Sequence, residues 1–323
     1  MKGSISFLIR TAISLVFIGI LVWFVRKDIP DIVIALKSLN PLFFLIAAIL
    51  NIFSLAVISL RLKKILSFQG VNIKLREAIY LNFIGNFFNN FLPTSVGGDL
   101  VKGYYATKKS SKKLESFSAI FFDRFFGFLS MGLLAFLGVL FLNKHIKDSK
   151  LFWGAVVFSA GVLLVFILFM NKNLTKRLFS FALKLPIFKE GSGLRKLYNA
   201  LNSYKEHKVM MAQLIGISLA AQMIAVLAIY VIIRSLSQEI SFLNLFLIIP
   251  LVSTASMMPS INGLGVREGA FVYFLKEFIS KESAFAASLL YLGLILIISF
   301  IGGVLYLFSA KLYKVSLRTE MES

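Results

Sequence analysis

Eight stretches of the chain run without Asp, Glu, Lys or Arg: 11–25, 38–60, 78–98, 125–143, 151–171, 209–233, 240–266 and 284–310. About 20 apolar residues cross ~30 Å of hydrocarbon at ~1.5 Å rise per residue, so each stretch is near or above the length of a membrane span. The first reaches full length if Ile5 to Ile9 join it and Arg10 snorkels to the headgroups. Two stretches do not read as simple helices. Residues 78–98 carry four Asn and end in Pro93, Gly97 and Gly98, and residues 240–266 are interrupted by Pro250, Pro259, Asn262, Gly263 and Gly265. Non-helical backbone leaves amides unpaired in lipid at several kcal/mol each, so such breaks persist only inside protein or beside a wet cavity. The pattern therefore predicts an all-α polytopic membrane protein. Six full spans are expected near 5–25, 41–60, 118–142, 151–170, 210–233 and 285–308, with two broken or re-entrant helical hairpins between them.

Composition supports the same class. The 323 residues are 58% apolar and 15% charged, against about 45–50% and about 25% in soluble domains. A formal charge of +20 raises nucleic-acid binding, but the 34 Phe lie mostly in uncharged runs and not beside basic residues on a soluble face, so no nucleic acid is expected. The chain has no Cys, and His145 and His207 alone cannot assemble a histidine metal cluster. No metal, cofactor or enzymatic chemistry is expected. The run from Thr11 to Val25 follows Lys2 and Arg10 as a signal peptide would, yet ends in Trp23, Phe24, Val25, Arg26 and Lys27 without a small-residue cleavage pattern, and so reads as a retained span.

Placing each base on a loop gives the charge a direction. With the broken segments returning to the side they entered from, one side carries 24 Lys and Arg, including ten between Arg61 and Lys113 and nine between Lys172 and Lys208. The other carries 10, with Arg124 inside a span. The positive-inside rule then places both termini in the cytoplasm of a prokaryotic inner membrane. The loop 172–208, with Pro186, Gly191, Gly193 and a basic stretch at Arg195 and Lys196, joins two halves, 1–171 and 209–323, of a single membrane domain.

The broken segments resemble each other. Pro93-Thr94-Ser95-Val96-Gly97-Gly98-Asp99 and Pro259-Ser260-Ile261-Asn262-Gly263 each run Pro, hydroxyl residue, then Gly four after the Pro, with ionised residues beyond. Paired Pro/Gly-interrupted segments in two halves point to the central site of a transporter built as an inverted repeat. Asn82, Asn86 and Asn90 recur at i, i+4 and i+8 with Asn89 beside them, a polar face that either hydrogen-bonds neighbouring helices together or, the reading four amides favour, lines a cavity, while Phe83, Phe87, Phe88 and Phe91 face lipid or packing. Ser253, Ser256 and Ser260 form a weaker stripe.

Charges near the breaks sharpen the expectation, because an ionised group at mid-membrane depth costs at least ~2.5 kcal/mol and persists with a partner or a function. Asp99 and Lys102 share a helix face; Arg267 and Glu268, being adjacent, diverge, as do Asp123 and Arg124. A cross-paired network of these six residues is expected around the cavity, holding Arg or Lys near an anionic headgroup; for Asp123 and Arg124 the sequence fits snorkelling to the membrane interface equally well. The run Gly263-Leu264-Gly265-Val266-Arg267-Glu268-Gly269 has its third Gly one residue too far for a dinucleotide fingerprint, but a glycine turn opening a helix still offers free amides to phosphate. Ser299 with Gly303, and Gly216 with Ala220, are expected to pack helices closely.

Three motifs together resemble a known family. Asn86-Phe87-Phe88-Asn89-Asn90-Phe91-Leu92-Pro93 leading to Gly97-Gly98-Asp99 and Lys102, then Asp123-Arg124 with Gly127, then Pro259-Ser260 with Gly263, Gly265, Val266, Arg267 and Glu268, are similar to the transmembrane domain of lysylphosphatidylglycerol synthases. That resemblance implies a flippase-like role. Fused members make lysylated phosphatidylglycerol and move it between leaflets; here only a dozen residues follow Lys311, so lysylation by this chain alone is not expected. The implied partners are membrane lipids: anionic or aminoacylated phospholipid, or a polyprenyl-linked lipid. An ion-coupled carrier of a small solute, and a non-transporting partner of a separate lipid-modifying synthase or glycosyltransferase, fit the same pattern.

Overall fold

The computed structural model describes residues 29–91, 97–110, 112–142, 149–171, 203–204, 206–258 and 263–321. The first expected span, Pro93, Pro259, Ser260 and most of the loop 172–208 lie outside them. Over the described residues the chain is all-helical. In order come α1 (Ile29–Lys37), α2 (Pro41–Phe68), α3 (Leu75–Phe91), α4 (Gly97–Ser110), α5 (Lys113–Leu142), α6 (Ser149–Met170), α7 (Lys208–Ser235), α8 (Asn244–Ala255), α9 (Val266–Leu275) and α10 (Lys281–Met321). Among these, α2, α5, α6, α7 and α10 are long and apolar enough to cross a membrane, which with their outward-facing Trp153, Val157 and Phe300 makes this a multi-pass membrane protein.

The spans begin where their sequence directs. Asn40 caps α2 by accepting from the amides of Leu42 (3.0 Å) and Phe43, and Pro41 stands at the first turn, where its missing N–H costs nothing. The helix of the second span outruns its charge-free stretch: α2 continues past residue 60 to Phe68, and Arg61 is buried with Leu62 and Ile65 on the face that packs into the protein. Lys102 and Arg267 are likewise enclosed by protein and are not loop charges. Removing Arg61 and Lys102 from one side and Arg267 from the other leaves the sign of the charge bias intact.

The helices assemble about a central pair, α2 against α7, tied by Ser54 Oγ donating to the Ala221 carbonyl at 2.9 Å. Around it the two broken segments pack across the molecule: α3 lies on α10 and α8 on α5, while α4 lies on α5 and α9 on α10. Each first arm therefore braces the opposite half and each second arm its own. One buried core joins Val226, Ile229 and Ile233 of α7 to Ile248, Phe271 and Leu294; a second joins Leu62 and Ile65 to Phe122, Phe126 and Leu214. Tyr204, just before α7, is fully buried against Phe68 and Phe122 and accepts a hydrogen bond from Gln69 Nε2 at 3.2 Å. Burial pushes its phenol well above the ordinary range, so it stays neutral.

Small residues set two close approaches. A side chain at Gly98 would overlap the Gly85 carbonyl, and one at Gly302 the Phe83 carbonyl, where α10 crosses α3; Gly303 meets the Phe87 ring. The expected packing role of Gly303 and Ser299 is thus met, and Phe83 and Phe87 turn to packing and not to lipid. Gly216 and Ala220 do not follow suit: Gly216 has open space beside it and Ala220 is exposed, because both lie on the face of α7 turned from α2. Gly302→Ala is therefore expected to cost about 1–3 kcal/mol through overpacking, seen as a lower melting temperature in detergent, whereas Gly216→Ala leaves it unchanged or raises it through helix propensity.

Candidate functional site

A cavity of about 360 Å³ lies where the two broken segments face the central pair. Asn86, Asn89 and Asn90 of α3 line it, as the asparagine stripe predicts, opposite Ser253 and Ser256 of the other segment. Asn82 does not. Each i to i+4 step overshoots a full turn by about 40°, which swings Asn82 toward α2, where its amide donates to Ser59 Oγ at 2.9 Å as a link between helices. Asn90 reaches across to α10, donating to Ser299 Oγ and to the Asn86 carbonyl (3.1 Å). Asn89 Oδ1 accepts the Gly98 amide at 2.8 Å, fastening the start of α4 onto α3; Gly97 and Gly98 are both buried, and Gly98 allows that approach because a side chain there would overlap the Gly85 carbonyl.

The six expected charges form separate groups. Asp99, in the first turn of α4, pairs with Lys102 at 3.5 Å and with Arg124 Nε at 3.0 Å; the Lys102 stem lies over Gly85. Asp123 points away from the cavity and takes Arg61 Nε at 2.7 Å, while Arg61 Nη1 donates to Ser218 Oγ at 2.9 Å. This buried link ties α5, α2 and α7, and Gly127 leaves room for its guanidinium, 3.6 Å from where a side chain would begin. Asp123 and Arg124 thus diverge and find partners on other helices, as adjacent helical positions must. Neither the single network nor the divergence of Arg267 and Glu268 holds.

Arg267 Nε and Nη2 both donate to Glu268 Oε1, at 3.0 and 2.7 Å. The exception to the helical rule has a local cause. Glu268 is the third residue of α9, and its Oε2 turns back to accept the Gly265 amide at 2.7 Å, the reciprocal half of a helix cap. That curl brings the carboxylate beside its neighbour's guanidinium. Gly265 and Gly263 have φ of +80° and +76°, a backbone conformation that other residues adopt only under strain. Gly263 also sits tight against Ser256.

Two guanidinium groups, Arg124 from α5 and Arg267 from α9, line the cavity, and no carboxylate among the described residues does. Asp99 and Glu268 stand behind them as counter-ions. Tyr291 of α10 presents its ring 5.9 Å from the Arg267 guanidinium carbon, and Leu55, Ile249, Phe271 and Ile298 supply apolar wall. Such a site can hold an anion by charge-assisted hydrogen bonds and a neutral polar group by its amides. Asn51 and Ser54 of α2 also line it and are missed by the sequence reading, although polar residues three apart in a charge-free span, with Arg61 seven after Ser54, carry the signal of an inward face.

The chain is 22% identical over 262 residues to a protein described as "UPF0104 membrane protein" from Methanothermobacter thermautotrophicus, covering 74% of this chain and 77% of that one. The family model described as "Lysylphosphatidylglycerol synthase TM region" matches residues 8–303, and so takes in every element that builds the cavity: the chain belongs to that family.

Proposed function

We propose that this protein binds the anionic headgroup of a membrane lipid in the cavity and carries it between leaflets. The observation that supports this most directly is the pair of guanidinium groups lining a cavity that no carboxylate among the described residues lines. Charged side chains at membrane depth cost about 2.5–3.5 kcal/mol each on insertion scales; Asp99 and Glu268 offset that cost and hold the bases in place. A volume at the low end of small-molecule sites suits a headgroup, with the acyl or prenyl chains left in lipid between helices. The crossed packing of α3 on α10 and α8 on α5 supports reading the two segments as an inverted repeat of re-entrant hairpins that could open the cavity alternately to either side. The charge bias supports an inner-membrane protein with both termini cytoplasmic.

The test is reconstitution of the purified chain alone into liposomes carrying fluorescent phosphatidylglycerol, with leaflet exposure followed by chemical quenching. Lipid exchange well above protein-free vesicles is expected. Arg124→Gln removes a charge-assisted contact of about 1.5–3 kcal/mol and is expected to slow exchange about tenfold to a hundredfold. Solute uptake without lipid exchange would instead indicate a small-molecule carrier, and exchange only in the presence of a second protein would indicate a partner of a lipid-modifying enzyme.

A further inference from the structure

We infer that the protein holds a second lipid site apart from the central cavity: a seat for an anionic phospholipid in a cleft between α2 and α7, at the end of the bundle where α2 stops and α7 starts. The cleft has a volume of about 410 Å³ and is lined by Leu60, Lys63, Lys64, Ser67, Phe68 and Met210. The central cavity shares none of these residues. Helix geometry gives the depth. At ~1.5 Å rise per residue, α2 from Pro41 to Lys63 spans ~33 Å, just past the ~30 Å of hydrocarbon. The two lysines therefore stand at headgroup level, and Leu60, one turn earlier on the helix, lies in the apolar layer beneath them.

The bases near the end of α2 divide by direction. Arg61 turns inward to Asp123 and Ser218, whereas Lys63 and Lys64 turn to the cleft. Lys64 Nζ donates to Gln213 Oε1 of α7 at 3.0 Å, which uses one of its three protons and holds the ammonium beside the cleft. No carboxylate among the described residues lines the cleft, so two like charges face one space. An anion between them offsets their repulsion, and a lipid phosphate brings both the charge and the acceptor oxygens. Apart from Ser67 the remaining wall is apolar. Phe68 is fixed by ring contacts to Tyr204 and His207, with centroids 4.6 and 5.0 Å apart, and Leu60 and Met210 complete it. From Gln213 the exposed face of α7 continues through Gly216, which has open space beside it, to Ala220, leaving a shallow track for an acyl chain. A free phosphate engages the lysines and leaves these walls uncovered; a phospholipid engages both. The seated lipid bridges the central pair of helices and is held in place, not carried.

The experiment is native mass spectrometry of the full chain in mild detergent, titrated with phosphatidylglycerol, phosphatidylcholine and glycerol phosphate. The unaltered chain is expected to retain phosphatidylglycerol at two sites. Lys63→Gln with Lys64→Gln, which touches neither large buried core, is expected to weaken one of the two about tenfold or more, while Lys63→Arg with Lys64→Arg keeps it. Phosphatidylcholine, whose headgroup carries no net charge, and glycerol phosphate, which has no acyl chains, are both expected to bind there about tenfold more weakly than phosphatidylglycerol. Retention of phosphatidylglycerol unchanged by Lys63→Gln with Lys64→Gln overturns the inference, as does equal binding of phosphatidylcholine or of glycerol phosphate. The central cavity is tested apart from this: loss of a lipid in Arg124→Gln alone, with the lysine variant unaffected, leaves the central reading and removes the second seat, and loss in the lysine variant alone does the reverse.

Discussion

Replacing Arg267 by Gln is expected to abolish lipid exchange in liposomes and to lower the melting temperature in detergent by on the order of 10 °C. Two effects combine. The substitution removes one of the two guanidinium groups that line the cavity, and it strands Glu268, only 3% exposed, with the Gly265 amide as its remaining partner. Breaking a buried ion pair from one side costs about 3–5 kcal/mol, because the surviving charge stays out of water without compensation; in a chain of this size that is several degrees or more. The double variant Arg267→Gln with Glu268→Gln separates the effects. The neutral carboxamide then present at position 268 can still accept the Gly265 amide, so most of the stability is expected to return while exchange does not. Wild-type exchange in the double variant would show that Arg267 serves only to hold the start of α9.

Asp123→Asn is expected to destabilise the protein by a similar amount, about 3–5 kcal/mol, for a purely structural reason. Arg61 would be left buried, 5% exposed, with Ser218 and a neutral amide in place of a carboxylate 2.7 Å away. Here the rescue has the opposite functional outcome. Replacing the pair together by Arg61→Met and Asp123→Leu removes both charges, and well-packed apolar substitutes for a buried pair are often neutral or stabilising by about 1–4 kcal/mol. Ser218 keeps its own bond to the Leu214 carbonyl. Neither Arg61 nor Asp123 lines the cavity, so the double variant should melt near the wild type and exchange lipid within a few-fold of it. A stable double variant that no longer moves lipid would assign this link a role in transport beyond holding α2, α5 and α7 together.

Part of the candidate site is readable from the order of residues. The asparagine stripe at Asn86, Asn89 and Asn90 announces a polar face because helical periodicity is a property of neighbouring positions, and the Gly/Pro breaks announce interrupted helices for the same reason. Asn82 misleads because its spacing is right but its angle has drifted onto α2. Arg61 is hidden by its company: it ends a charge-free run and is followed by Lys63 and Lys64, so it reads as the first base of a loop, and nothing local reveals Asp123 as its partner. Glu268 and Arg267 mislead in the other direction, since the rule that adjacent helical side chains diverge assumes a helix interior and these two open one.

Residue order alone is enough to establish a polytopic helical membrane protein, the places where most of its spans begin and end, and the two segments that break. These follow from hydropathy summed over a turn or two and from the backbone chemistry of Pro and Gly, both of which act within a few residues. Which charges meet is settled by the packing of the helices. Arg61 finds Asp123 62 positions away and Ser218 157 away, and Asn90 reaches Ser299 across 209. Those pairings depend on which helix faces which, set by the crossed packing of α3 on α10 and α8 on α5. In a solvent that cannot screen charge, that packing sorts the bases into those that tie helices together and those that line the cavity.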